Sequence, residues 1–367
     1  RWCVRSRGLG VVYKRQERRS VFAVLAERPE LAMQGVRMRR WGQEIIQATA
    51  GKKVHGDGAI PGGINKSLTI PERDALLAEL DTMLAWARAA VALARDYTLD
   101  NLERIADFGS FRSNHVSIVR SDGAMDLYDG RMRAVDADGG TIVDAVAPAD
   151  YLEHVAEEIR SWTYMKFPYL KALGPRDGWY RVGPLARLNT CDFIDTPEAE
   201  SARREFQEAT GDGPCQITLA YHWARMIEAL HSAERIALLL HDPDLQGDDR
   251  IAPRGERREE YVAMIEAPRG TLTHHYRVDE NDQVTRANLI VSTTCNNEAM
   301  NRAVRKIADD HLSGVPEITE GLLNNIEVGI RAYDPCLSCA THALGQMPLE
   351  VTVFDVAGRV VDQQSRP

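Results

Sequence analysis

The chain has 367 residues, a formal net charge of −9, 44% hydrophobic residues and 27% charged residues. This composition is ordinary for a water-soluble globular protein, and the acidic balance argues against nucleic-acid binding. No apolar run approaches the ~20 residues that a membrane-spanning helix needs, and the six scattered cysteines do not resemble a secreted disulfide framework, so a cytoplasmic location is expected.

The start of the chain differs in character from the rest. Residues 1–16 hold five basic residues, no acidic residue and no helical or strand period, and they do not begin with methionine. We expect a non-native leader on a chain truncated at its N-terminus, with a flexible basic arm as the alternative. Residues 17–50 have a helical pattern in which Pro29 marks a break or a first turn, and residues 52–65 are rich in glycine, which predicts a loop.

Periodic segments in the rest of the chain predict a mainly helical fold with short strands. Residues 71–108 carry a helical apolar stripe, and residues 115–147 combine short strand patterns with Asp-Gly turns, which indicates a small antiparallel insert. Further helices are predicted near residue 151 and at residues 197–209, 216–241, 297–312 and 318–332, and further strands at residues 260–265, 271–278, 283–292 and 349–354. The expected fold class is a multidomain, predominantly helical α+β fold with a central helical bundle and small mixed or antiparallel sheets.

A cysteine motif lies close to the C-terminus, where residues 334–342 read Asp-Pro-Cys-Leu-Ser-Cys-Ala-Thr-His. Cys336 and Cys339 have the smallest spacing at which two thiolates share one tetrahedral metal. Because no second Cys-x-x-Cys occurs in the sequence, a four-cysteine zinc site is disfavoured and a less usual metal is indicated; soft thiolates suit nickel and iron. A zinc site built from these two cysteines and His342 is the alternative.

Three separated segments together resemble the large, catalytic subunit of NiFe hydrogenases. They are the cysteine motif, the Glu-Ala-Pro-Arg-Gly sequence at residues 266–270, which is similar to that family's active-site arginine loop, and the glycine-rich residues 51–56 with 61–63. The resemblance extends from about residue 17 to the end of the chain. Residues 342–351 and the insert at 115–147 are most similar to the soluble, NAD-linked, bidirectional subgroup.

The resemblance implies a nickel–iron centre that carries two cyanides and one carbon monoxide on iron. Cys336 would be a terminal nickel ligand, and Cys339 would bridge nickel and iron. His342 would bind a Mg²⁺ ion together with the Leu289 backbone carbonyl, although magnesium usually prefers oxygen ligands. His342 would also become the C-terminus after a nickel-dependent endopeptidase removes residues 343–367, once nickel-insertion factors have loaded the metal.

The resemblance also assigns the surroundings of the diatomic ligands. Arg269, which follows Pro268, would donate a hydrogen bond to one cyanide near the open side of nickel; its guanidinium offers several donors in a rigid fork. Val291 would line the ligand site, and Thr293 would donate to the second cyanide. Ser292 stands where the family usually has proline and adds a donor. Taken alone, these segments also fit a surface arginine in a turn and a polar strand at a sheet edge.

Two further residues are predicted to support the ligands. His55, in the glycine-rich loop, could donate to a cysteine sulfur; a loop histidine bonded to the backbone is the alternative. Asp334 could pair with Arg269 or orient the cysteine loop. Cys191, Cys215 and Cys295 have no paired spacing and are predicted to be small buried residues.

The family's centre uses four thiolates, and this sequence contains one Cys-x-x-Cys pair, since Cys3 has no partner three residues away. We therefore expect that this fragment alone is inactive. The expected division of the chain is a suspect leader, a helical bundle portion, a small β insert, a mixed portion with the metal site, and a maturation extension, at residues 1–16, 17–114, 115–147, 148–342 and 343–367.

The expected function is the reversible oxidation of H2 to protons and electrons. Too few cysteines remain to hold an iron–sulfur cluster, so electrons would leave through a separate iron–sulfur small subunit. In the NAD-linked subgroup, diaphorase partners would carry FMN and NAD, and this chain lacks the Gly-x-Gly-x-x-Gly fingerprint for NAD. The alternatives are a deazaflavin- or heterodisulfide-linked hydrogenase of the same fold, a non-catalytic scaffold related to a complex I subunit, and a zinc-stabilised binding module.

Overall fold

The computed structural model describes residues 21–163, 165–253, 255–311, 319–335, 349–354 and 357–366. Its α-helices, in chain order, are α1 Val21–Glu27, α2 Pro29–Ala50, α3 Ile70–Asp100, α4 Leu102–Ile105, α5 Tyr151–His154, α6 Gly174–Asp177, α7 Pro184–Thr190, α8 Pro197–Thr210, α9 Tyr221–Leu240, α10 Ser292–Cys295, α11 Asn297–His311 and α12 Glu320–Ala332. Its strands are β1 Ala59–Ile60, β2 Gly63–Ile64, β3 Asn114–Val119, β4 Arg131–Val135, β5 Thr141–Val146, β6 Val155–Ile159, β7 Lys166–Leu170, β8 Tyr180–Arg181, β9 Glu260–Ala267, β10 Gly270–Val278, β11 Val284–Ile290, β12 Leu349–Phe354 and β13 Val360–Arg366.

The long helices form the scaffold of the molecule, with α3 packed along α9 and with α7 and α8 also against α9. Helix α3 begins at a capping box in which the Thr69 hydroxyl accepts from the Glu72 amide and the Glu72 carboxylate accepts from Thr69. Its apolar stripe is buried, and the main core gathers side chains from α7, α8, α9, α11 and α12 around Trp223 and Phe206. The predicted helical bundle is confirmed.

The sheets are small and mostly antiparallel. The described residues form a four-stranded sheet in the order β5-β4-β3-β8, a three-stranded sheet in the order β11-β10-β9, and the hairpins β1-β2, β6-β7 and β12-β13. All six residues of β3 are buried, and β3 pairs in parallel with β8, which lies outside residues 115–147. Val116 and Ile118 share a core with Met264 and Ile290. The strands at 115–147 therefore pack together with the sheet that carries the arginine segment.

Most of the predicted elements are present, and the differences are local. The helix predicted to run to residue 108 ends at Asp100 and is followed by α4. Within the predicted insert at 115–147, residues 125–130 are not part of a strand. After the short helix at Tyr151 the chain forms β6 and β7, which the sequence did not predict. No helix among the described residues is long and apolar enough to cross a bilayer.

Candidate functional site

Arg269 lies at the tip of a tight hairpin between β9 and β10. Ala267 pairs directly with Gly270, so Pro268 and Arg269 form a two-residue connection. Proline fixes its own φ and removes a backbone donor, which suits a position where the chain leaves the sheet. The arginine side chain is 36% exposed, so it emerges from a rigid hairpin into a partly open space.

The guanidinium of Arg269 holds the chain just before the cysteine motif. Its Nε donates to the backbone carbonyl oxygen of Asp334 at 2.5 Å, and the Asp334 carboxylate oxygen Oδ2 lies 3.5 Å from the same nitrogen. Asp334 follows the end of α12 with a positive φ of +48°, and its amide donates to the Arg331 carbonyl. The end of α12 therefore lies next to the β9–β10 hairpin at Pro268 and Arg269, which we call the arginine hairpin, although Arg269 and Asp334 are 65 residues apart in the sequence.

The arginine hairpin is set against the start of α7 with backbone touching backbone. Gly270 has φ +134°, and a Cβ there would lie 2.3 Å from a Val182 methyl carbon and 2.6 Å from the Gly183 nitrogen. Gly183 has φ +97°, and a Cβ there would lie 2.7 Å from the Arg269 carbonyl oxygen. Neither position has room for a side chain, so both glycines are required for the close approach.

Ser292 connects a third segment to the same hairpin. It is the first residue of α10, it is buried, and its hydroxyl donates to the Gly270 carbonyl oxygen at 2.7 Å. Thr293 is also buried, whereas Val291 and Leu289 are 42% and 44% exposed. The predicted extra donor at residue 292 is thus used within the protein.

We expect the substitution Ser292→Ala to lower the free energy of unfolding by about 1 kcal/mol, the usual value of one hydrogen bond. The substitution Ser292→Pro should have a similar effect, because proline fits the first turn of a helix but cannot bond the Gly270 carbonyl. Urea denaturation of the two variants beside the parent protein tests this. A proline variant as stable as the parent would show that the hydroxyl contributes nothing.

A buried ionic cluster that the sequence did not predict lies beneath the hairpin. Arg187 of α7 is 1% exposed and bonds the Glu228 carboxylate through Nε at 2.5 Å and Nη2 at 2.6 Å, and Glu266 Oε2 through Nη1 at 2.5 Å. Burial alone would lower the pKa of Arg187, but the two carboxylates raise it above its usual value. Burial raises the pKa of Glu266, although Arg187 and Thr271 favour its charged form.

Glu266, the first residue of the arginine segment, is held from three sides. Besides Arg187, its carboxylate accepts from the Ile118 amide at 3.1 Å and from the Thr271 hydroxyl at 2.6 Å. These contacts join β3, β9, β10 and α7. No spacing in the sequence signals the cluster, because Arg187 lies 41 residues from Glu228 and 79 from Glu266.

The structure does not bring every predicted residue to this place. His55 lies on an exposed bend with φ +52° and makes none of the described hydrogen bonds to the arginine hairpin. Cys336, Cys339 and His342 lie outside the described residues, so their metal-binding roles stay predictions, as do the roles of Pro268, Val291, Thr293 and Leu289.

Cys191, Cys215 and Cys295 are buried and unpaired in the structure. Burial raises the pKa of Cys191 and of Cys295 to about 12 and also raises that of Cys215. These thiols therefore remain protonated near neutral pH, in agreement with their prediction as small buried residues.

Known proteins resemble this chain in sequence and in fold. A family described as nickel-dependent hydrogenase matches residues 33–342. The beta subunit of the NAD-reducing hydrogenase HoxS from Cupriavidus necator is 47% identical over 356 residues, which cover 95% of this chain and 73% of that protein. One component of the F420-non-reducing hydrogenase of Methanothermobacter thermautotrophicus is 38% identical, with 95% of this chain and 74% of that protein covered.

Solved structures agree with the sequence comparisons. The crystal structure of an NAD⁺-reducing NiFe hydrogenase in its H2-reduced state aligns with a TM-score of 0.86 and 51% identity, covering 90% of this chain and 73% of that one. A NiFeSe hydrogenase from Desulfovibrio vulgaris Hildenborough aligns with a TM-score of 0.65 at 17% identity, covering 85% of this chain and 70% of that one, which is a likeness of fold.

Proposed function

Because the chain belongs to the nickel-dependent hydrogenase family as a large subunit, we propose that it carries the H2-activating centre of an NAD-linked hydrogenase. The reaction is the reversible oxidation of H2 to protons and electrons. The observation that carries the proposal is the contact between Arg269 and Asp334, which joins the arginine hairpin to the chain that continues into Cys336.

The residues present suit a nickel–iron centre. Cys336 follows Asp334 by two residues in the sequence, so the contact between Arg269 and Asp334 lies two residues before the first thiolate. Cys336 and Cys339 would hold the metals as soft thiolates, with cyanide and carbon monoxide completing the iron. His342 and the Leu289 carbonyl would hold Mg²⁺. When bound, the nickel–iron centre supplies the Lewis acid and the electron acceptor for splitting H2.

Arg269 would be the charged group beside the centre. Asp334 engages only its Nε, and among the described contacts both terminal nitrogens have no partner, so four N–H donors remain for a ligand. The hairpin backbone fixes the direction of this charge before any ligand arrives. Thr293 would donate to the second cyanide, while Pro268 and Val291 would line the ligand site.

Electrons would leave through an iron–sulfur small subunit, and diaphorase subunits carrying FMN would pass them to NAD⁺. The support for this acceptor is the similarity to two NAD-reducing enzymes. The complex would work in the cytoplasm, after nickel-insertion factors and an endopeptidase acting at His342 complete the large subunit. His55 and Asp334 would support the thiolates and the arginine from the side.

Metal and partner analysis of the hydrogenase purified from its native source tests the proposal. We expect about one nickel per large subunit, as the Cys-x-x-Cys motif implies, together with H2-dependent reduction of NAD⁺ and co-purified iron–sulfur and flavin subunits. Zinc in place of nickel would refute the proposed nickel–iron centre. Nickel with H2 oxidation but no NAD⁺ reduction would refute only the acceptor and favour a relative of the methanogen type.

The 367-residue polypeptide by itself provides a second test of the centre. Its sequence holds one Cys-x-x-Cys, and the family's centre takes four thiolates, so we expect that these residues alone neither retain the paired metals nor oxidise H2. Expression of residues 1–367 beside the native complex, with nickel and iron determined in both, checks this expectation. Stoichiometric nickel and iron in the polypeptide would contradict it.

The variant Arg269→Lys should lower H2 oxidation about 10- to 100-fold, because a lysine ammonium cannot reproduce a fork of fixed donors near developing charge. Nickel content should not change, since Arg269 is not proposed as a ligand. The matched control is Arg277→Lys on β10, an exposed arginine 54% accessible that pairs with Glu260. Equal activity in the two variants would exclude a catalytic role for Arg269.

A further inference from the structure

Arg187 uses its whole guanidinium to hold the segment that precedes Arg269. In addition to Glu228 and Glu266, it donates from Nη1 to the Ala267 carbonyl oxygen at 3.0 Å and from Nη2 to the Pro268 carbonyl oxygen at 3.2 Å. Together with the carboxylate bonds, all five of its N–H groups are used. One buried side chain therefore contacts three consecutive residues of the hairpin.

The same helix touches the hairpin a second time. The Arg269 carbonyl oxygen lies against Gly183, the residue that precedes α7. Arg187, one turn further along α7, bonds the carbonyls of residues 267 and 268. Helix α7 thus fixes both the path of the backbone into Arg269 and the position of the Arg269 carbonyl.

We propose that Arg187 is a positioning residue for Arg269, acting through the Ala267 and Pro268 carbonyls. This inference rests on the role proposed above for Arg269 and adds a residue that does not touch the reacting atoms. A buried ion pair contributes little net stability compared with apolar packing, so stability alone does not account for a guanidinium here. A lysine could not replace it, because three N–H donors on a flexible stem cannot bridge two carboxylates and two carbonyls.

The chain offers a matched control in Arg203 of α8. Its side chain is 6% exposed, bonds Glu200 through Nε and Nη2, and donates to the Asp192 carbonyl. Like Arg187, it is a buried arginine that bonds a glutamate and a backbone carbonyl. Among the described contacts, it makes none with the arginine hairpin.

The test compares Arg187→Lys with Arg203→Lys in the native hydrogenase complex. We expect Arg187→Lys to lower kcat for H2 oxidation about 10- to 100-fold, the usual cost of misplacing a reacting group. The KM for H2 and the nickel content should not change. The cyanide and carbon monoxide infrared bands should shift relative to the parent complex, in the same direction as the shift that we expect for Arg269→Lys measured beside it. Amide hydrogen exchange at residues 267–271 should rise. Arg203→Lys should lower the Tm while leaving kcat, the infrared bands and the exchange at 267–271 at parental values.

The proposal is overturned if the two lysine variants show the same decrease in Tm and if both keep the parental kcat, infrared bands and amide hydrogen exchange at residues 267–271. If Arg187→Lys fails to accumulate, the double variant Arg187→Met/Glu228→Met removes a buried charge of each sign. If the double variant recovers the parental Tm but still shows raised amide exchange at residues 267–271 and a lowered kcat, the positioning role is supported. If both the exchange and kcat return to parental values, the role is refuted. A parent complex without nickel would refute the proposed function, whereas the exchange comparison would still decide whether Arg187 holds the hairpin.

Discussion

The substitution Gly270→Ala is expected to destabilise the protein by about 2–6 kcal/mol and to abolish most of its H2 oxidation. Two costs add at this position. A residue with a side chain is strained at φ +134°, at about 1–3 kcal/mol. The new methyl group would also overlap Val182 and the Gly183 backbone, and overpacking a rigid site costs about 1–3 kcal/mol more.

Activity should fall together with stability because the displaced atoms belong to the arginine hairpin. Relief of the overlap requires movement of the backbone next to Arg269, since the Gly183 nitrogen cannot rotate away. Gly174→Ala is the matched control, because Gly174 also has a positive φ, +72°, but open space around its Cβ; its cost should be about 1–2 kcal/mol. Tm and H2 oxidation measured for both variants decide the matter. Equal decreases in Tm and in H2 oxidation in the two variants would show that the segment at Val182 and Gly183 can move to accommodate the methyl group.

Acidification from pH 7 to pH 5 is expected to remove about 4 kcal/mol of stability through two histidines, one buried and one half-buried, whose pKa is lowered in the folded protein. Burial, helped by Arg181, lowers the pKa of His115 to about 3. Burial, helped by Arg225 and Arg331, lowers the pKa of His222 to about 4. The charged groups that act on the two imidazoles are all positive, so they oppose protonation, and only a hydrogen bond with Gln216 favours the protonated form of His115.

The sign follows from the two protonation states. Below about pH 6.5 the unfolded chain binds protons at these histidines and the folded chain does not, so stability falls as the pH falls. Each histidine contributes about 1.4 kcal/mol per pH unit below that point. The loss from His222 levels off near pH 4, and the loss from His115 continues to about pH 3.

Urea denaturation at several pH values between about 5 and 7 measures the slope. The variant His115→Gln keeps a neutral polar group in place and should reduce the slope by about 1.4 kcal/mol per pH unit, the contribution of one histidine whose pKa is lowered in the folded protein. His241→Gln is the control because its side chain is exposed at the end of α9. A parent protein whose stability is flat over this range would contradict the prediction.

The sequence predicted the long elements well. Helices such as α3 and α9 have one apolar face and one polar face, and β9, β10 and β11 are separated by clear turn residues, so local patterns identify them. The two ends of the candidate site were also predictable. The arginine segment and the cysteine motif are short runs whose residue types carry their chemistry.

The missed elements lack such patterns. Helix α7 has seven residues, and six of them are buried, so it shows no amphipathic period. Strand β7 contains Pro168, which argues against a strand but is tolerated in a two-stranded hairpin. The contacts of Arg187 with Glu228 and Glu266 depend on how three elements meet, and no local pattern encodes that.

The paired glycines also limit how the surroundings of Arg269 can be redesigned. On the α7 side, main chain meets main chain at Gly183 and Gly270, so neither glycine offers a mutant library a side chain to vary in size. Val291, which precedes the Ser292 that bonds the Gly270 carbonyl, and Leu289 are both partly accessible. Engineers who wish to change which molecules reach the guanidinium should therefore diversify these two residues and leave the glycine pair intact.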